Sequence, residues 1–516
     1  MAATTYENFA WRESAPGVWQ RDIDEAELFY TSLAKLYEGS GRMFFAITGH
    51  VSLTVEVPEG QGRKGTEQHL EDSLRNAWLS LRSEQPAIAS RVIYDPETSK
   101  WKKTYDVVRN EVDQQAWIGS TFRVISTGQT GLEWCNSDPP APSLPTLFVI
   151  VPPLSTSAHR KAVRRDIVIR SPHDIMDGVG TLHLLNRLVT IAADAYHDGT
   201  SIRAPLLDGS EVARLPPPYR VAAAIPQTPT PTQQQRLVDM AAGKSAPAPE
   251  NGPEVIGIAH KKGAILPGRH QRAARTLSED QTAHVLAACR AVGATVTHAY
   301  HAAIAISLRD MQDRGEEARS VQYHNYILRN ERSHCIEPYN TAKYAAAVYH
   351  SVSGGSLVVE MIVRASTDAV ADEQEQKDEF LGILNIMKDF YHGVNDDPDH
   401  YALAPYIWAA STPEIPQLSG DVLQQLPVPP PKASPSVSIS SMGLVDKIIA
   451  SKNGAFDVDN PWVTGEELGN GLGLFLGTFK GQLCCSVAYN DAWHDEESAN
   501  SFLKRCEDVV FRGLGL

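Results

Sequence analysis

The sequence predicts an α/β protein built from two similar lobes of mixed helices and strands. The chain has 516 residues, which is enough for two large units with buried cores. Helix-like and strand-like segments alternate in both halves. The halves are separated by a proline-rich stretch, which predicts an exposed linker without a helix or a central strand. We therefore place an N-terminal lobe at residues 1–215, the linker at 216–253 and a C-terminal lobe at 254–516.

Two kinds of segment make up the N-terminal half. Apolar residues at helical spacing predict helices over residues 24–37, 66–81 and 178–196. Runs of apolar and β-branched residues predict strands over residues 44–57, 147–151 and 166–170. This order of elements is typical of a mixed α/β unit.

The C-terminal half repeats this mixture. The same spacing predicts helices over residues 277–290, 295–308, 373–391 and about 496–510. Strands are predicted over residues 321–328, 344–350 and 357–363, with a hairpin of 474–479 and 483–489. A second proline-rich stretch, residues 402–435, predicts a long excursion between packed elements. Because the lobes are alike in class and size, we expect a site between them.

Composition narrows the classes of function. Lysines and arginines number 47 and acidic residues 62, so the net charge is −15, which disfavours general nucleic-acid binding. We find neither a run of about 18 apolar residues nor a signal-peptide pattern, and we expect a cytoplasmic protein without a membrane span. The six scattered cysteines lack the spacing of a zinc or redox motif, so we expect free thiols and no metal site.

One segment, residues 166–188, carries a pattern typical of chemistry. A strand runs into a loop with His173, Asp177 and Gly178, and a helix begins at once, which gives the motif H-x-x-x-D-G. An imidazole held at a strand end can act as a general base near neutral pH. Simpler roles stay open, because His173 could bond to backbone groups, Asp177 could cap the helix and Gly178 could ease a turn.

Agreement elsewhere in the chain identifies a family resemblance. In addition to the motif, five segments carry the resemblance: residues 11–30, 277–308, 325–332, 437–449 and 475–491. Together they resemble the H-x-x-x-D-G acyltransferases, a superfamily that includes plant BAHD acyltransferases, nonribosomal peptide condensation domains and fungal O-acetyltransferases. Pro172 stands where condensation domains carry a second histidine, and the BAHD D-F-G-W-G motif is absent. The segment 439–443 (ISSMG) is similar to the fungal enzymes, closest to the trichothecene 15-O-acetyltransferase type.

The resemblance implies a fold and a set of site residues. The lobes would be of the chloramphenicol acetyltransferase-like type, with His173 reached through a channel between them. His173 would be the general base, while Asp177 and Gly178 would fix the loop, with Arg329 as a candidate partner of Asp177. Ser440 and Ser441 are candidate donors to the oxyanion or the substrate. For the phosphates of coenzyme A, an acidic protein needs local basic residues, and the candidates are Lys261, Lys262, Arg269 and Arg272.

The resemblance also implies a function. We expect an acyl-CoA-dependent O-acyltransferase that transfers acetyl from acetyl-CoA, a co-substrate, to a hydroxyl of a fungal secondary metabolite such as a trichothecene-like terpenoid. The partners would be this small-molecule alcohol and the donor, without a permanently bound cofactor, and the protein would be a monomer. Two alternatives remain. The first is a stand-alone condensation or cyclisation enzyme that uses a carrier-bound or polyketide substrate, and the second is a non-catalytic ligand-binding relative.

Overall fold

The computed structural model describes residues 6–60, 62–153, 161–199, 207–245, 252–415 and 426–516. Its strands are β1 Arg12–Ala15, β2 Val18–Asp22, β3 Ile47–Glu56, β4 Ser90–Asp95, β5 Lys100–Asp106, β6 Phe122–Ile125, β7 Thr146–Ile150, β8 Ala162–Ser171, β9 Glu254–Val255, β10 His270–Thr276, β11 Arg319–Asn325, β12 Leu328–Asn330, β13 His350–Val352, β14 Leu357–Val363, β15 Val437–Leu444, β16 Lys452–Asn453, β17 Phe456–Gly465, β18 Leu472–Phe479 and β19 Gln482–Asn490. Its α-helices are α1 Glu25–Tyr37, α2 Arg63–Glu84, α3 Glu111–Thr121, α4 Gly131–Cys135, α5 Gly178–Asp198, α6 Tyr219–Ala222, α7 Pro231–Ser245, α8 Glu279–Ala291, α9 Val296–Asp310, α10 Glu373–Asn395, α11 His400–Ser411 and α12 Glu496–Leu514.

The N-terminal lobe is organised around a six-stranded sheet in the order β16-β17-β3-β8-β7-β6. Helices α2 and α5 pack together, and α5 lies against β3 and β17. At Gly49 of β3, an added Cβ would meet the Thr181 side chain at 2.4 Å, so only glycine allows α5 to lie this close to the sheet. This packing fixes the corner where β8 ends and α5 begins.

The C-terminal lobe contains a four-stranded sheet in the order β10-β19-β18-β15 and a three-stranded sheet in the order β14-β11-β9. Helices α9, α10 and α12 pack against one another beside these sheets. Their apolar faces share one buried core with the strands, which includes Ile304, Leu384, Leu474, Val487 and Phe502. Most predicted helices and strands of both lobes are present within a few residues of the predicted bounds.

A strand from the C-terminal half of the chain joins the sheet of the N-terminal lobe, which the predicted lobe boundaries do not include. β17 belongs to the C-terminal half of the chain but pairs antiparallel with β3 of the N-terminal sheet, with Trp462 opposite His50. Phe456, Val458 and Val463 of this strand join the N-terminal core. A division at 216–253 therefore does not separate the two packed units, because β17 gains its burial from the other half.

The linker prediction is wrong for the described part of 216–253. Residues 231–245 form the helix α7, which the proline at its first position permits because that residue needs no helical N–H partner. Thr230 and Gln233 exchange hydrogen bonds at its start. Tyr219 and Ala222 are buried in a core with Tyr349. Residues 246–251 lie outside the described residues.

Two other predictions differ from the structure. Residues 400–411, at the start of the second proline-rich stretch, form α11, which packs against α1 even though it contains Pro405; residues 416–425 lie outside the described residues. Residues 344–350 do not form a strand before His350. Their backbone instead bonds to the motif loop, since the Asp177 N–H donates to the Ala347 carbonyl at 3.3 Å.

Two searches of the described residues bear on membranes and metals. No single helix there is long and apolar enough to cross a membrane, although Glu279–Ala291 and Val296–Asp310 pass that test as a pair bent by 91°. Within the same residues, no group of three or more histidine, cysteine or acidic side chains could hold a metal ion.

Candidate active site

The motif residues occupy a short, rigid loop between β8 and α5. β8 ends at Ser171 and α5 begins at Gly178. Ile175 and Met176 are completely buried in the N-terminal core and anchor the loop from below. The Ile175 N–H also donates to the Pro172 carbonyl at 3.3 Å. With its backbone fixed in this way, the loop can present the His173 imidazole in a defined position.

His173 lies in an aromatic environment. Its ring is stacked on the Tyr30 ring, with centroids 3.7 Å apart and planes 2° from parallel. The ring centroids of His350 and Phe45 lie 5.6 and 6.4 Å away. The Nδ1 atom is buried, and no described residue hydrogen-bonds to it. Burial and the nearby His350 lower the pKa of His173 to about 3, so the imidazole is neutral and can accept a proton.

Asp177 has two structural roles at once. It caps α5 by accepting from the Gly180 N–H at 2.7 Å. Its other oxygen accepts from the Arg332 guanidinium at 2.8 Å and from the Tyr349 N–H at 2.9 Å. Burial opposes ionisation, but Arg332 and His350 together outweigh it and hold the pKa of Asp177 far below its usual range. Asp177 is therefore an ionised carboxylate that ties the loop to residues 332–349.

The expected pairing of Asp177 with Arg329 is wrong, because Arg332 takes that place. Arg332 lies in the turn after β12 and also donates to the carbonyls of Ala345 and Ala347, at 3.3 Å each. Arg329, on β12 itself, points elsewhere and donates to the Val394 carbonyl at 3.2 Å. Both arginines occur in one short segment of the sequence, and only the turn after the strand distinguishes them.

The glycine that the close packing requires is Gly180, two residues beyond Gly178. An added Cβ at Gly180 would lie 2.2 Å from the Ala345 carbonyl oxygen. At Gly178 a Cβ would meet the Met442 sulfur at an ordinary 3.6 Å, and its φ is not among the positive ones. Gly178 therefore marks where β15 passes the motif, and it is not needed for a turn.

Ser440 and Ser441 lie on β15, the strand whose Met442 faces Gly178. Ser440 is half-buried, whereas Ser441 is exposed and accepts a hydrogen bond from the Thr297 hydroxyl at 3.0 Å. Among the described residues, neither serine is hydrogen-bonded to His173. The structure thus brings this strand beside the motif, and no described residue hydrogen-bonds to the Ser440 hydroxyl.

The candidate coenzyme A residues do not form one free basic surface. Lys261 pairs with Asp495 at 3.0 Å and Arg269 with Asp491 at 2.7 Å, so the charges of both are offset. Lys262 is exposed beside His260. Arg272 is buried, because its guanidinium stacks over the Trp462 ring at 4.4 Å, and it is not available at the surface.

Aromatic rings extend away from His173. Tyr37 stacks on Phe44 at 4.5 Å, and Phe44 meets Phe45 edge-on at 4.7 Å. Phe45 has a positive φ of 55° and its ring covers Gly465, where a Cβ would approach at 2.4 Å. Tyr326 has 38% of its surface exposed, and burial of its hydroxyl end raises its pKa to about 12. Tyr326 lies far along the sequence from Tyr37, Phe44 and Phe45, and no local pattern indicates this group of rings.

A buried charged network supports the other side of the loop. Glu27 binds Arg21 through two hydrogen bonds of 2.7 Å and also pairs with Lys103. Lys103 donates to the Asp174 carbonyl at 2.6 Å, and Thr31 donates to the Asp174 carboxylate at 2.9 Å. The residue after His173 is thus held by side chains from α1 and β5, which sequence analysis did not identify.

The described arrangement is that of a condensation-domain-like acyltransferase fold. The structure aligns with the TRI3 trichothecene 15-O-acetyltransferase from Fusarium sporotrichioides at a TM-score of 0.77, with 17% identity over 99% of this chain and 100% of that one. The first condensation domain of the calcium-dependent antibiotic synthetase aligns at a TM-score of 0.56, with 12% identity over 98% of this chain and 97% of that one. The predicted two-lobed, chloramphenicol acetyltransferase-like fold is confirmed.

The sequence is also similar to curated acyltransferases. It is 24% identical to the acetyltransferase pigO of Monascus ruber over 98% of both chains. It is 24% identical to the O-acetyltransferase pigM of the same organism, over 98% of this chain and 87% of that one. No family model matches the chain. The resemblance to acyltransferases and the expectation of an acyltransferase enzyme are confirmed.

Proposed function

We propose that this protein is an acyl-CoA-dependent O-acetyltransferase that acts on a hydroxyl of a secondary metabolite, with His173 as general base. The observation that carries the proposal is the neutral, half-buried imidazole of His173, held on a fixed loop and surrounded by aromatic side chains. A fold shared with acetyltransferases supports it. Such a base at the reacting centre accelerates acyl transfer by about 10²- to 10⁴-fold.

The proposed reaction is a direct transfer from a thioester to an alcohol. The acceptor oxygen attacks the thioester carbonyl carbon while its proton passes to His173, and a tetrahedral oxyanion forms. As the carbon–sulfur bond breaks, the His173 imidazolium returns the proton to the departing thiolate. The products are an ester and a free thiol, so one imidazole completes the proton transfers. A hydroxyl donor such as Ser440 near the motif would stabilise the oxyanion.

The proposed acyl donor and the proposed alcohol acceptor are supported by different observations. One further relative is named an acyl-CoA-dependent acyltransferase, MAC1 of Pseudozyma antarctica, which is 24% identical over 46% of this chain and 43% of its own length. That name and the acetyltransferase relatives support acetyl-CoA as donor. The rings of Phe44, Phe45 and Tyr326 favour an acceptor with an apolar body, and the likeness to TRI3 makes a trichothecene-like terpenoid alcohol the first candidate.

The test is a transfer assay with a panel of acceptors. Purified protein is incubated with acetyl-CoA and a series of terpenoid and polyketide alcohols, and free thiol release is followed together with ester formation by mass spectrometry. We expect release that depends on at least one alcohol. A parallel series with a carrier-bound acetyl thioester distinguishes the condensation-type alternative. Ligand binding without thiol release from either donor would contradict the proposal and favour a binding protein.

The pKa of His173 predicts how activity depends on pH. Because the neutral imidazole is the active form and its pKa is lowered to about 3, kcat/KM should stay constant on the acid side from pH 8 down to about pH 5. An unperturbed histidine would instead give an acid limb near pH 6.5. The measurement is kcat/KM for acetyl-CoA across this range, with circular dichroism at each pH as a check that the protein stays folded. An acid limb near pH 6.5 in folded protein would contradict the lowered pKa of His173, and the same measurement on His173→Ala would then test its role as base.

A further inference from the structure

Two side chains outside the motif form a hydrogen-bonded unit against His173. The Tyr30 hydroxyl lies 2.7 Å from Nε2 of His350. The Tyr30 ring covers one face of the His173 imidazole at 3.7 Å, and the His350 ring lies 5.6 Å from it. Nδ1 of His350 in turn lies 3.9 Å from the Asp177 carboxylate. A line of contacts thus runs from Asp177 through His350 to Tyr30 and ends on the face of His173.

We propose that Tyr30 and His350 act as one positioning unit that sets the orientation and the proton affinity of His173. This inference rests on the proposed acyl transfer at His173. Neither residue belongs to the H-x-x-x-D-G motif: Tyr30 lies on α1, and His350 is the first residue of β13. The two segments meet only through the fold.

The hydrogen-bond direction in this unit follows from its surroundings. Burial raises the pKa of Tyr30 well above its usual value, so the phenol keeps its proton and donates it to Nε2 of His350. The His350 proton then lies on Nδ1, which is buried without a hydrogen-bond partner among the described residues and faces the ionised Asp177. Trp408 donates to the His350 carbonyl at 3.2 Å and fixes this backbone. The His350 tautomer with its proton on Nδ1 therefore accepts from the Tyr30 hydroxyl at Nε2 and directs its N–H toward the Asp177 carboxylate.

The charged and titratable groups around the unit come from several elements. Asp177 lies at the start of α5, Arg332 binds that carboxylate from the turn after β12, and Tyr326 precedes β12 and raises the pKa of Tyr30 together with Asp177. Among these groups, His350 acts directly on His173. Burial is the largest cause of the lowered pKa of His173, and a positive charge on His350, which it gains when Nε2 takes up a proton instead of accepting from Tyr30, lowers that pKa further. Removal of His350 should therefore make His173 easier to protonate.

Acyl transfer depends on the position of the His173 imidazole, which this unit would set. A general base must hold its nitrogen within hydrogen-bond reach of the attacking hydroxyl, and a misplacement of about 1 Å can cost about 10²-fold in rate. No described residue hydrogen-bonds to Nδ1 of His173, so the stacked Tyr30 ring is the contact that fixes the plane of the imidazole. The Tyr30 ring is itself held by its hydrogen bond to His350.

The experiment compares Tyr30→Phe, His350→Ala and the double variant in the thiol-release assay. Tyr30→Phe keeps the stacked ring and loses the hydrogen bond, so we expect kcat to fall about tenfold, and His350→Ala about 10- to 100-fold, with KM for both substrates within about twofold. Because the two residues act through each other, the double variant should lose no more than His350→Ala alone. His350→Gln, whose amide can accept the Tyr30 proton, should recover part of the loss.

A second readout does not depend on turnover. Diethyl pyrocarbonate modifies neutral imidazole, and its reaction with His173 can be followed by peptide mass spectrometry as the pH is lowered. We expect the modification of His173 to fall off at higher pH in His350→Ala than in the wild type. The same shift should appear in the acid limb of kcat/KM. This measurement decides on the Tyr30–His350 unit even if the acceptor is unknown.

A matched control lies in the C-terminal core. Tyr323 lies 3.0 Å from Nε2 of His301, so Tyr323→Phe also deletes a buried tyrosine–histidine contact and should leave kcat within about twofold. The inference is overturned if Tyr30→Phe and His350→Ala match this control, if their losses multiply in the double variant, or if the modification profile of His173 does not move. Absence of turnover in the wild type, with the modification profile shifted as expected, would instead remove the proposed function and keep the unit.

Discussion

Replacing His173 with alanine is expected to reduce kcat by about 10²- to 10⁴-fold without unfolding the protein. The side chain receives no hydrogen bond on Nδ1, and its loop is anchored by the buried Ile175 and Met176 and by the cap at Asp177. Its removal should therefore cost the proton acceptor and leave the backbone in place. Free thiol release at saturating acetyl-CoA and acceptor measures the loss, and circular dichroism and thermal melting report the fold.

The control for this prediction is another half-buried histidine. His324 on β11 lies 3.0 Å from the Gln322 side chain and makes no hydrogen bond to the motif loop among the described residues, so His324→Ala should retain nearly full kcat. His173→Gln adds a second test, because it keeps some of the stacking volume against Tyr30 but provides no base of comparable strength. A His173→Ala enzyme within tenfold of wild-type kcat would remove His173 from the role of general base.

The sequence predicted the part of this site that is local in the chain. A strand, a loop with His173 and Asp177, and a helix follow one another within 166–188, and each is determined by its own residues and near neighbours. The cap on α5 is local for the same reason, since Asp177 bonds only three residues ahead. The resemblance added the fold, which local patterns alone leave open.

The rest of the site depends on contacts between distant segments. Tyr30 and His350 are 320 residues apart, and the two residues of the Asp177–Arg332 pair are 155 apart. Nothing in the segment 325–332 distinguishes Arg332 from Arg329, because the choice depends on the turn after β12, from which Arg332 reaches Asp177 while Arg329 stays on the strand. Phe45 likewise takes part through a positive φ, which its residue type does not predict.

The fold boundaries were missed for a related reason. β17 was not predicted as a strand, and its pairing with β3 depends on an edge in the other lobe that local patterns do not specify. The helix α7 was missed because prolines dominate its surroundings, although Pro231 occupies the first helical turn, where proline is tolerated. In both cases the structure of the segment depends more on the surface against which it packs than on its own amino-acid composition.

The second large effect is expected on stability, from the buried pair of Asp177 and Arg332. Both side chains are at least nine-tenths buried and lie 2.8 Å apart. Asparagine is as good a helix cap as aspartate, so Asp177→Asn keeps the cap on α5. It removes the charge, and its amide NH2 replaces the oxygen that accepts from Arg332 and from the Tyr349 N–H. The Arg332 guanidinium is then buried without its counter-charge, which should lower the free energy of unfolding by about 3–5 kcal/mol. Urea unfolding followed by fluorescence measures the change.

Two further variants separate the charge from the packing. In Asp177→Asn combined with Arg332→Met, no buried charge remains unpaired, so the double variant should be more stable than Asp177→Asn alone. Arg187 and Glu84 form a control pair that also involves α5, with a 2.6 Å contact between exposed side chains, and Arg187→Met should change the free energy of unfolding by less than about 1 kcal/mol.

The pH dependence of stability is an independent test of the Asp177–Arg332 pair. The pKa of Asp177 is lowered in the folded protein, so its stabilising contribution is fully present above the unfolded pKa of about 3.9, decreases once the pH falls below it, and is lost completely only at the much lower pKa of the folded state. Asp177→Asn should abolish this component, so the difference in stability between the wild type and the variant should narrow as the pH falls below about 3.9. Equal stabilities at pH 7 would show that the pair does not hold the loop, and the position of His173 would then depend on Tyr30 and on the network around Asp174.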